Sequence, residues 1–309
     1  MALLDRIVKA NFVPPGYGPK LKVYDYWYNI LVDVLNDMAT DERINSGNFD
    51  SRPMLGMSPT TTIFMEDFVD SYGCLDLALA NESDPAATFS EVADRGKWLV
   101  TIVDSAGTNA ETVMGKPVDA GTSAGAQGGW AEFRTCNADN DALTAQLNGE
   151  SFKLATNKKL WFETQFIIED VSESEVFIGL ADTGTDLYGA LGVGVQNHVG
   201  FMLDGDGNLD FSIDEGGVQS KTDTTVNFVD GSMATLATAN VKHKCGFYWD
   251  GLGTIKVYVD DVLYLTKVDD ASTITVPDGT CLSPGFTILT QGNTDEALFI
   301  DYIYVAQER

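Results

Sequence analysis

The stretch that most constrains the fold is Leu160 to Asp170, LWFETQFIIED, followed at once by VFIGLAD at Val176 to Asp182. In the first run Leu160, Phe162, Thr164, Phe166 and Ile168 alternate with Trp161, Glu163, Gln165, Ile167 and Glu169. A period of two marks a strand with one face buried and one wet. No long amphipathic helix follows to cover the apolar face, so the natural partner is a second sheet. The expectation is an all-β antiparallel β-sandwich.

Strand signals recur along the chain. They include TTTIFMEDF at residues 60–68, KWLVTIVD at 97–104 and GWAEFRTC at 129–136. Residues 106–129, rich in Gly, Ala, Thr and Ser, read as a loop that could hold a short strand. Val199 to Leu203 and Leu209 to Ile213 form a hairpin, with Leu209, Phe211 and Ile213 on one face. KCGFYW, TIKVYV and VLYLT follow, joined by Asp250-Gly251-Leu252-Gly253 and by Asp260-Asp261, both short enough for hairpin turns. GFTILT and ALFIDYIYV close the chain. Many short strands at close spacing point to a closed sandwich.

Residues 1–58 differ from the rest. Pro14, Pro15, Gly16, Gly18 and Pro19 make a stiff arm. Lys22 to Met38 then reads as one amphipathic helix, with Tyr24, Trp27, Tyr28, Leu31, Val34, Leu35 and Met38 on a single stripe. The first thirty residues carry Arg6, Lys9, Lys20 and Lys22 against Asp5 and Asp25, so this is the one part that is not acidic. The helix either caps the open end of the sandwich or docks on another subunit, and both readings stand. Residues 46–59, SGNFDSRPMLGMSP, have the composition of a linker. The domain expectation is therefore an arm and helix over 1–58 and a sandwich over 59–309.

The whole chain has 19 basic and 46 acidic side chains and a formal charge of -27. That field repels nucleic acid and anionic lipid, so neither is an expected partner. The four cysteines, Cys74, Cys136, Cys245 and Cys281, have no zinc-ligand spacing, and Cys136 and Cys245 read as buried free thiols in apolar strands. No run of about twenty apolar residues is present to span a membrane. The first twenty residues lack a continuous apolar core, so synthesis in a cytoplasm without secretion is expected.

The order of pieces, from Glu66-Asp67-Phe68 through GWAEFRT, LWFETQFIIED, VFIGLAD, VGFMLDGDGNLDF and WDGLGTIKVYVDDVLY to ALFIDYIYVAQ, resembles the concanavalin A-like, laminin-G-like jelly rolls. More narrowly it looks like those of structural proteins of tailed bacteriophages. The resemblance covers residues 60–309. It implies a non-enzymatic virion protein, a capsid decoration or cement protein on the outer surface of the head, made in the host cytoplasm. Its implied partners are the major capsid protein and neighbouring copies of itself, in a homo-oligomer such as a trimer. Docking would run through Tyr24, Trp27, Tyr28, Leu31 and Leu35. The alternative is a carbohydrate-binding, lectin-like module of a fibre or tail, with host-surface glycans as ligands.

Glycoside hydrolysis on this fold needs two carboxylates, commonly in a Glu-x-Asp-x-x-Glu phrase, which is absent. Glu163 has Trp161, Gln165 and Ile167 as its same-face strand neighbours and reads as a solvated or pocket-bonded carboxylate. His198 and His243 lack the phrases of a nucleophilic triad, so no enzyme is expected. Asp204, Asp206 and Asn208 resemble a calcium loop by count, but Leu209 stands where such a loop needs glycine, and a hairpin turn is favoured with no cofactor. Trp130, Tyr188 and Trp249, with Trp161 and Tyr248 beside them, are aromatics that could stack on a sugar or lie in the core.

Overall fold

The computed structural model describes residues 61–66, 89–95, 98–104, 114–117, 130–135, 139–183, 197–231, 241–269 and 275–309. The chain divides into two units, Met1–Pro53 and Met54–Arg309, and every described residue lies in the second. The arm and the helix stripe from Tyr24 to Met38 fall outside the described residues. So do Tyr188, Cys74 and Cys136.

Among the described residues there are sixteen strands and no helix. They form two antiparallel sheets. Sheet A runs β14(Val262–Val268), β13(Thr254–Val259), β12(His243–Trp249), β7(Leu160–Ile168), β16(Ala297–Glu308), β5(Ala131–Arg134), β4(Met114–Pro117). β16 is long enough to pair with β5 at its start and, beyond a bulge between Ile300 and Tyr302, with β1(Thr61–Glu66) at its end. Sheet B runs β11(Val218–Asn227), β10(Asn208–Glu215), β9(His198–Asp204), β8(Ser174–Ala181), β15(Ser283–Thr290), β6(Ala142–Leu147), β3(Trp98–Asp104), β2(Phe89–Arg95). The described residues form an all-β antiparallel sandwich.

Alternation sends one set of side chains from each sheet into a shared core. Phe162, Phe166 and Ile168 of β7 enter it from sheet A, and Ile178, Leu180, Phe201 and Phe211 from sheet B. Phe247 of β12 joins the layers. Its ring stacks on Phe162 at 5.1 Å within sheet A and meets Phe211 edge-on at 5.6 Å across the core. Cys245 lies buried beside it as a free thiol, and burial pushes that thiol well above its ordinary pKa. Cys281 is a free, exposed thiol.

One expectation for β7 is corrected. Its second face is not wet: Trp161, Glu163 and Ile167 are 6%, 1% and 0% exposed. The outer face of sheet A is itself aromatic there. Trp161 and Tyr248 lie 5.4 Å apart on adjacent strands, with Tyr302 and Tyr304 of β16 on the other side.

At one end of the sandwich, Glu296 sits just before β16 and is 3% exposed. Burial is the main reason its carboxyl is pushed up to about 7; Asp170, Glu169 and Asp295 add to the rise, and a hydrogen bond from Thr294 opposes it. A raised acid stabilises the fold fully below its unfolded value and loses that contribution as pH rises through its folded value. Stability should therefore fall from about pH 4.5 to pH 7 on this group's account. Glu296→Gln keeps an oxygen for the Thr294 hydroxyl, now 2.8 Å away, and removes the charge. The variant should be more stable than the parent by about 1 kcal/mol at pH 8 and no more stable at pH 4.5, as read from urea melts at both pH values. An equal difference at both would contradict this account.

Candidate functional site

Sheet B presents an outer face built from the positions that point away from the core. On β9 these are His198, Gly200, Met202 and Asp204; on β10, Asp210, Ser212 and Asp214. On β8 they are Glu175, Phe177, Gly179 and Ala181. Gly179 and Gly200 stand opposite each other, and their backbones approach so closely that a Cβ on either would overlap the other strand. The Phe177 ring lies over both glycines and meets Met202 and Ala181 in a small apolar cluster. Glycine is required here by the close approach.

Beyond this floor lies a polar corner where β8, β9 and β10 end. His198 sits between Ala181 and Asp214 in the ladder. Its Nε2 and the Ser212 hydroxyl share a hydrogen bond of 2.8 Å, and Gln219 Nε2 donates to the same hydroxyl at 2.9 Å. The Asp214 residue is 0% exposed. One of its oxygens accepts the Gly217 N–H at 2.9 Å, while Oδ2 is buried with no hydrogen-bond partner. Asp182 repeats the pattern: Oδ2 accepts from Asn197 Nδ2 at 2.9 Å, and Oδ1 is buried with no partner. Asn197 Oδ1 in turn accepts the Gly216 N–H at 2.8 Å, tying the β10–β11 turn to the corner.

Burial pushes the Asp214 carboxyl above its ordinary range; the Gly217 N–H and His198 pull it down, and the nearby Asp182 pushes it up again. A buried acceptor without a donor is costly, about 1–3 kcal/mol, and is rare enough to need a reason. Two such oxygens, with His198, Ser212 and Gln219 on the same face, mark this corner as a candidate site among the described residues.

The sites read from the sequence fall elsewhere. Glu163 is pocket-bonded: it stands between Gly246 and Tyr304 on the outer face of sheet A, and the Tyr302 hydroxyl donates to its Oε1 at 2.5 Å. Trp249 belongs to the core, with its Nε1 donating to the Ala155 carbonyl at 3.2 Å, and Trp130 is 4% exposed. Neither ring is presented to solvent as a sugar platform. Asp204-Gly205-Asp206-Gly207-Asn208 is a hairpin turn, with Gly205 and Gly207 both at φ +77°. Both Asp206 oxygens accept from Asn208, one from its N–H and one from its amide, and these bonds hold the carboxyl below its ordinary range. The Lys221 ammonium pairs with Asp204 and with Asp210. Among the described residues no three His, Cys, Asp or Glu side chains gather as a metal site.

The corner residues Asp182, Asn197, Ser212, Asp214 and Gln219 were missed. A signal exists: in NLDFSIDE the apolar Leu209, Phe211 and Ile213 alternate with Asp210, Ser212 and Asp214, which places those three polar side chains together on the opposite face. The His198–Ser212 pair comes from cross-strand register and leaves no phrase in the sequence.

No family model matches the chain, and no curated protein does. Solved structures similar to it include a protein of unknown function from Shewanella oneidensis MR-1, at 13% identity and a TM-score of 0.46 over 87% of this chain and 93% of that one. The carbohydrate recognition domain of Emp47p is similar at 16% identity and a TM-score of 0.42, over 57% of this chain and 82% of that one. A beta-1,3-glucanase from Mycobacterium marinum is similar at 14% identity and a TM-score of 0.44, over 81% and 99%. The expectation of a non-enzymatic protein is corrected here. The similar solved structures include a beta-1,3-glucanase as well as a carbohydrate recognition domain.

Proposed function

We propose that the sandwich is a carbohydrate-binding domain and that sugar hydroxyls are held at the Asp182–Asp214 corner of sheet B. The observation that carries this reading is the pair of carboxylate oxygens, Asp182 Oδ1 and Asp214 Oδ2, that have no donor among the described residues; both are buried, so a sugar reaches them by opening the corner. A sugar offers several hydroxyl donors on one rigid ring, and hydrogen bonds to carboxylates are the strong kind. Asn197, Ser212 and Gln219 add groups that can both donate and accept. The apolar cluster of Phe177, Ala181 and Met202 lies alongside on the same face.

A second reading, cleavage of a glycosidic bond, is favoured by one observation. Asp214 is buried, its carboxyl is raised, and Asp182 lies near enough to contribute to that rise. General acid and base work on a glycosidic bond takes two carboxylates, one of them raised. The protein should therefore be screened on an array of neutral and acidic glycans, and the glycans it retains should be assayed for release of reducing ends. Retention without release supports binding alone, and release that stops in Asp214→Asn supports cleavage. Retention of no glycan would overturn both.

A further inference from the structure

Among the described residues β11 ends the path of sheet B and β14 that of sheet A with no further strand beside them, and the two edges differ. β11, at the edge of sheet B, is polar along most of its length and is interrupted by a register shift and by Thr225 at φ +62°. Such irregularities protect an edge from pairing. β14, at the edge of sheet A, reads VLYLTKV and leaves Val262, Leu263, Tyr264 and Val268 exposed by 53%, 49%, 41% and 59%. A row of half-exposed apolar side chains beside free backbone N–H and C=O groups is a template for another strand.

We propose that β14 is a self-association edge, on which the β14 strand of a second copy of this chain packs antiparallel across a two-fold axis. The charges at its ends choose the occupant and the direction. The turn before β14 carries Asp260 and Asp261, and the far end carries Lys267, which has no ion pair among the described residues. Asp261 pairs with Lys244 of its own chain, and its side chain is still 53% exposed. With the axis near Tyr264, Lys267 of each copy faces Asp261 of the other, three residues to either side of the centre. A parallel approach would instead set the two acidic turns against each other. The bulge that sets Tyr264 out of register with β13 adds twist and confines close pairing to the segments around it.

Each chain carries a formal charge of -27, so two copies repel at long range and association should strengthen as salt screens that repulsion. The full chain should be examined by sedimentation from about 1 to 100 µM at low and high salt. The expected result is a shift from 33.4 kDa toward twice that mass, at lower concentration in high salt. Tyr264→Lys should weaken association at least tenfold. Lys267→Asp should also weaken it, and adding Asp261→Lys to that variant should restore it, whereas Val218→Lys on the β11 edge should change nothing. A mass that stays at 33.4 kDa throughout, or a dimer that Tyr264→Lys leaves intact, would overturn the proposal.

Discussion

Gly179→Ala should be among the most damaging single substitutions in this protein, lowering stability by about 3 kcal/mol. An added Cβ would lie 2.6 Å from the Gly200 Cα, against the Val199 carbonyl, and 3.0 Å from the Phe177 ring. Two of these neighbours are backbone atoms of a central strand, so no side chain can swing away to make room. β8 and β9 would have to separate, breaking the ladder that carries both His198 and the floor of the corner. For a domain of this size the loss corresponds to roughly 10 °C in Tm. Gly279→Ala is the control, because a Cβ there meets nothing within 4 Å. Equal melting temperatures for the two variants would show that the strands are not in close contact.

Phe247→Ala should cost about 3–5 kcal/mol. The ring is 0% exposed and touches both layers, stacked on Phe162 and edge-on to Phe211. Truncation removes the transfer free energy of a whole ring and leaves a cavity between two sheets, whose backbones cannot collapse independently. Leu252→Ala, at a side chain 77% exposed in the next turn, should change stability by less than about 0.5 kcal/mol. Urea melts of the two variants beside the parent measure both effects. A loss under about 1 kcal/mol for Phe247→Ala would mean that the ring does not join the sheets as described.

The fold was legible because its central strands obey a simple rule. LWFETQFII and NLDFSIDE alternate, and the Asp260-Asp261 turn takes the positive φ values, +50° and +64°, that a tight hairpin needs. β11 escaped notice because VQSKTDTTVN is an edge strand with little apolar content. β2 and β6, FSEVADR and ALTAQL, escaped because their periodicity is short and diluted by alanine. Burial of the second face of β7 could not be read, since a period of two says which residues share a face and nothing about what lies against it. The same limit explains the aromatics. Trp249 and Tyr248 are neighbours in sequence, yet the first points into the core and the second onto the outer face.

The site was less legible than the fold for a related reason. His198 and Ser212 are fourteen residues apart, and Asp182 and Asp214 thirty-two, so only strand register brings them to one corner. Glu163 drew attention because it breaks an apolar run, but its hydrogen bond from Tyr302 satisfies it. Asp214 drew none because an acid at the end of a strand is ordinary in so acidic a chain. What marks it is full burial in the ladder opposite His198, with Asp182 nearby, a property of three dimensions.

The most direct test of the central claim is calorimetric titration of a retained glycan into the parent, Asp214→Asn and Glu163→Gln. Asp214→Asn keeps an acceptor for the Gly217 N–H and can turn Oδ2 into a donor that a sugar hydroxyl must accept, so affinity should fall at least tenfold. Glu163→Gln alters the outer face of sheet A and should leave affinity unchanged. Affinity lost in Glu163→Gln and kept in Asp214→Asn would contradict the account and move the ligand to the opposite sheet.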